Sequence, residues 1–121
     1  AVDHARASTT ASPAVVGEML TYLTVTRDSV DALFDASADL TFAPSVEHTA
    51  EVLARKTNAA ESAIATVRRA LDVCGGAGYS RTVGLERLYR DVHGALYHPL
   101  PLDKQRAFTG RVALGLDPIG G

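Results

Sequence analysis

A chain of 121 residues, 46% of them hydrophobic and 21% charged, makes a single domain whose core can bury about two-thirds of the unfolded surface. Its formal charge of -2 and pI near 6.1 argue against a nucleic-acid or anionic-membrane partner, since both recruit a basic face. One cysteine, Cys74, excludes an intrachain disulfide and a cysteine-based zinc cluster and points to a reducing compartment, read as cytoplasmic.

No run of about 18 apolar residues and no signal peptide stands out. The chain starts at Ala1, compatible with processing or with a piece of something longer. Residues 1–12, AVDHARASTTAS, are small, polar and aperiodic, and read as a linker or disordered end. Residues 13–121 carry the domain.

The spacing predicts a first helix over residues 13–38, with Ser12 as N-cap and Pro13 at the first helical position, where its missing N–H costs nothing. Val16, Met19, Leu23, Thr26, Val30 and Leu33 fall three and four apart and form one stripe to be buried. Leu40 and Phe42 in the following loop are expected to tuck against the end of the bundle. A second helix is predicted over 46–74, capped by Ser45, with Glu47 in its first turn and Arg68 and Arg69 in its last. Val46, Ala50, Leu53, Thr57, Ala60, Ile64, Val67, Leu71 and Cys74 recur at four and three without a slip, which is a bundle seam.

A third helix, 83–96, is expected to bury Leu85, Leu88, Tyr89 and Val92 and to expose Glu86, Arg87 and Arg90, with Gly94 weakening it and Pro99 ending it. A fourth, 102–116, has Asp103 in its first turn and Phe108, Val112 and Leu116 on one side. Nothing alternates with period two, so the fold class is all-α, an antiparallel up-down helical bundle.

Between the second and third helices stands Gly75-Gly76-Ala77-Gly78. Glycine just past a helix end takes the backbone conformation that satisfies the last carbonyls, and free amides there can make a small anion site. It is not a Rossmann fingerprint, because a helix precedes it and the GxGxxG spacing is absent, and no Gly-Lys-Ser/Thr follows. A C-cap with a tight turn accounts for it on residue physics alone.

The run ALDVCGGAGYSRTVGLERLYRD resembles the late part of the C-terminal helical domain of the acyl-CoA dehydrogenases, where a helix ends in GGxGY or GGxGF and the next carries (E/K)(R/K)LxRD. The resemblance is strongest over residues 69–91 and compatible over 12–115. It implies a helical bundle, short of its first helix or first part, in an FAD-dependent oxidoreductase whose other parts are an N-terminal helical domain and a middle β-barrel. The corner would approach the adenosine diphosphate part of a neighbouring subunit's FAD through Asp72, Gly75 and Gly76. Asp72 stands where the family usually has glutamine, and its carboxylate would repel pyrophosphate while accepting from ribose hydroxyls.

The family's catalytic glutamate follows the third helix in a Tyr-Glu-Gly-Thr run. Aligning Arg90-Asp91 puts Pro99 at that position, and the next acid is Asp103, four residues on. Proline takes no α-proton, so ordinary desaturation through this position is disfavoured. Relatives that hydroxylate small molecules with reduced flavin and oxygen also lack the glutamate, which makes His98 and, less so, His93 candidate proton-transfer or positioning groups. The competing reading is a pair of helix-end histidines. Five residues apart, they lie about 140° around a helix and cannot share a metal without a break between them.

Two functions follow. One is a domain of a larger flavin oxidoreductase, inactive alone, that contributes to a homo-oligomer or joins the enzyme's other domains and acts with them on acyl-CoA or another small molecule. The alternative is a non-catalytic assembly or partner subunit without flavin.

Overall fold

A computed structural model describes residues 11–120. The expected linker over 1–12 lies outside the described residues except for its last two. Among the described residues four α-helices account for the fold: α1 (Pro13–Ser37), α2 (Val46–Cys74), α3 (Leu85–Val92) and α4 (Leu102–Ala113). Among the described residues there is no strand, and the fold is all-helical as expected.

α1 and α2 form an antiparallel hairpin. Arg69 on α2 donates to Glu18 on α1, and Thr26 on α1 donates to Ser62 on α2; the α1 index rises by eight while the α2 index falls by seven. α2 begins where Ser45 accepts from the His48 amide at 3.0 Å, an N-cap that satisfies an otherwise orphaned donor. It ends where Gly75 turns to φ +56. The Ser12 side chain, by contrast, makes no capping bond, so Pro13 alone sets the start of α1. Arg68 and Arg69 sit more than a turn before the end of α2, whose last turn carries no basic residue.

The core gathers at one end of the hairpin. Met19 and Leu85 are 0% exposed and pack with Val67, Ala70 and Leu71, flanked by Val16, Val73, Cys74, Val83 and Tyr89. Burying side chains of this size contributes about 1.5–3 kcal/mol each. The same stripes open toward the loop, where Val30 is 37% and Val46 43% exposed, and Leu40 in the loop itself is 84% exposed. Leu40 therefore does not tuck against the bundle end. Phe42 does pack at that end: it is 39% exposed, its ring is stacked on His48 at 4.8 Å, and it lines a shallow cleft with Leu33, Val52 and Leu53.

α3 is shorter than the expected 83–96. It starts after Gly84, whose φ of +75 makes it the N-cap, and from His93 to Leu96 the chain tightens into a 3-10 turn. Leu85 is buried, Tyr89 and Val92 are half-buried, and Leu88 points to solvent while Glu86 is partly covered. α4 lies on α2 through polar ties: Thr57 donates to the Gln105 amide oxygen at 3.1 Å, Gln105 donates to the Leu100 carbonyl, and Arg106 meets Glu61 at 2.6 Å. Leu116, expected on the buried side of α4, lies beyond its end and is exposed.

Candidate functional site

The corner between α2 and α3 is built by three glycines with different duties. Gly75 takes φ +56 and ψ -148, a conformation that strains any residue with a Cβ. Gly78 is buried, and a Cβ there would stand 3.0 Å from Leu71 Cδ2 and 3.1 Å from Cys74 Cβ. Gly84 supplies the left-handed start of α3. Gly76 is different: it is exposed, with open space around the position of a Cβ. Between them Gly75–Tyr79 forms a 3-10 turn, and the Ser80 and Thr82 hydroxyls share a hydrogen bond at 2.8 Å.

The corner thus presents Asp72, Gly75 and Gly76 together at the surface. The Asp72 carboxylate does not stand alone. Arg69 donates to it at 2.9 Å and, through its other terminal nitrogen, to Glu18 on α1 at 2.9 Å. Tyr22 adds a hydroxyl donor to Glu18 at 3.1 Å. Bonding to Arg69 first, and to Tyr22 second, holds the Glu18 carboxyl below its ordinary range, and Glu18 in turn raises the Arg69 guanidinium. The sequence shows the Arg69–Asp72 spacing, but not the contact to Glu18, 51 residues away.

The histidines are not brought together as one site. His93 Nδ1 lies 2.6 Å from the Tyr89 carbonyl. A carbonyl only accepts, so Nδ1 is the donor in this contact, and in the neutral ring the lone pair lies on Nε2. Its ring meets Tyr89 edge-on at 4.6 Å. His98 is exposed in the turn before α4, with no hydrogen bond or ring contact among the described residues. Neither lines the cleft of about 440 Å³ beside α2 or its neighbours of about 400, 240 and 200 Å³. Pro99 is exposed, and Asp103 lies in the first turn of α4.

Among the described residues no three His, Cys, Asp or Glu side chains gather closely enough to hold a metal ion, and no helix is long and apolar enough to cross a membrane. Cys74 is half-buried against the core rather than sealed within it. Sequence reasoning missed Lys56, whose ammonium donates to the Ala95 carbonyl at 3.0 Å and pins the 3-10 turn after α3 to α2. Desolvation lowers its pKa. It also missed Gln105, 1% exposed on the inner face of α4. A polar residue at a core position carries no periodic signal.

The family model described as acyl-CoA dehydrogenase, C-terminal domain, matches residues 3–96. No curated protein and no solved structure matches the chain significantly.

Proposed function

Because the chain belongs to the acyl-CoA dehydrogenase C-terminal domain family, whose members are oxidoreductases, we propose that it serves as the helical domain of a larger FAD-dependent oxidoreductase. The family match, running through the glycine corner, carries this reading. Asp72, Gly75 and Gly76 would face the ribose and phosphates of a flavin nucleotide held mainly by another part of the assembly. The local chemistry fits that role. Gly75 and Gly76 leave the backbone open to close approach, and Arg69 offsets the Asp72 charge that would repel pyrophosphate. Asp72 keeps lone pairs for ribose hydroxyls. Bound flavin would supply hydride or electron transfer, while this chain binds, orients and helps exclude water.

If proton transfer involves this chain, the lone pair of His93 Nε2 and the exposed His98 ring are the groups suited to it. The compartment consistent with one thiol is cytoplasmic, the assembly a homo-oligomer, and the substrate acyl-CoA or another small molecule. Pro99 at the position of the family's glutamate favours a second reading, a flavin-free assembly subunit.

The test is the natural full-length polypeptide purified with whatever copurifies. A yellow flavin spectrum that Gly76→Asp bleaches, without loss of helical circular dichroism, supports the first reading. A colourless assembly that stays colourless on adding FAD supports the second. His98→Ala and His93→Ala then separate the histidines through the pH profile of flavin reduction.

A further inference from the structure

The cleft beside α1 and α2 is lined by none of Asp72, Gly75, Gly76, His93 and His98. It opens where α1, α2, the turn His93–Leu96 and α4 converge, with a volume of about 440 Å³, inside the range of roughly 300–1,000 Å³ typical of small-ligand clefts. One part of its wall is apolar: Ile64, Ala65, Leu96, Leu102 and the Tyr22 ring. The other part is charged, with Arg68, Arg69 and Glu61.

The charges are unequally compensated. Glu61 is paired with Arg106 at 2.6 Å. Arg69 is shared between Glu18 and Asp72, each at 2.9 Å. Arg68 makes no hydrogen bond or ion pair with any described residue. One guanidinium, with five donors in a fixed fork suited to a carboxylate, therefore stands unmatched at the edge of an apolar wall.

We propose that this cleft binds an apolar monocarboxylate, its body on Leu96, Leu102, Ile64 and the Tyr22 ring and its carboxylate on Arg68. A single unmatched cation selects a single negative charge. A dianion such as a phosphate monoester would bring a second charge toward Glu61 with nothing left to meet it. The site adjoins the glycine corner through Arg69, which also pairs with Asp72, but its binding groups lie outside the corner and its occupancy depends on neither flavin nor the oxidoreductase reading.

The test titrates the full chain with two probes of one shape, phenylbutyrate and phenylbutanol, followed by calorimetry and by amide shifts in NMR. Phenylbutyrate is expected to bind with shifts centred on Ala65, Leu96 and Leu102, and the alcohol about tenfold more weakly, as loss of a charged hydrogen bond requires. Arg68→Gln removes that about tenfold advantage and leaves the alcohol unchanged. Arg27→Gln, at an exposed arginine that is also unpaired but outside the cleft, leaves both probes unchanged. Absence of phenylbutyrate binding, equal binding of the alcohol, shifts centred elsewhere, or an equal loss in Arg27→Gln would each overturn the proposal.

Discussion

At the end of the α1–α2 hairpin nearest the glycine corner, Met19, Val67, Ala70 and Leu71 are sealed beneath Leu85, whereas at the loop end Val30 and Val46, on the same two stripes, face solvent. The heptad spacing is equally regular at both ends, so periodicity cannot be the cause. The difference is a third partner: α3 and the corner close over the stripes at one end, whereas toward the other α4 lies along α2 as far as Ala50 and leaves Val30 and Val46 exposed. Spacing sets which face of a helix is apolar. Topology sets whether that face is buried.

The sharpest way to break this contrast is to truncate one residue at each end. Leu85→Ala should cost about 2–5 kcal/mol in chemical denaturation, because the sealed site leaves a cavity. Val46→Ala at the open end should stay within about 0.5 kcal/mol; equal losses would mean the loop end is covered in solution. Next comes the lid itself. Gly78→Ala forces a Cβ against Leu71 and Cys74 and should lower stability by about 1–3 kcal/mol, while Gly76→Ala, with open space around it, should change the denaturation midpoint little.

On α4, opposite the middle of α2, Gln105→Ala strands the Thr57 hydroxyl and the Leu100 carbonyl and should cost about 1–3 kcal/mol by the same measurement. The smallest effect belongs to the surface at the sealed end. The Glu18 carboxyl is depressed in the folded chain by Arg69 and Tyr22, so its stabilisation is present above the ordinary carboxyl value of 4.5 and is lost as pH falls through the lower folded value. Melting curves of the wild-type chain should therefore drop more steeply below that pH than those of Glu18→Gln. Parallel curves would show that the pair adds nothing to stability.

Much of this architecture is legible in the sequence, and the failures have physical reasons. α2 is found to the residue because both of its ends carry chemical stops, the Ser45 cap and Gly75. The start of α3 is misplaced by two residues because Val83 looks apolar and periodic, yet Gly84 at φ +75 must precede the helix. Leu88 and Leu40 are misread as buried because hydrophobicity does not report what lies opposite. At the corner, the residue types at Asp72, Gly75 and Gly76 and the Arg69–Asp72 spacing are visible in advance; the sharing of Arg69 with Glu18 is not, since Glu18 is remote in sequence. His93 and His98 are adjacent on paper, but the 3-10 turn that begins at His93 separates their environments.

The way α4 is fastened has a dynamic corollary. It is tied to α2 by Thr57–Gln105, Glu61–Arg106 and a long contact from Thr109 to the Ala50 carbonyl, and contributes no side chain to the sealed core. A segment held by a few polar clasps should open as its own cooperative unit, below the cost of global unfolding. Its amides would then exchange with deuterium well before those around Leu71, so that the bundle sheds its last helix first.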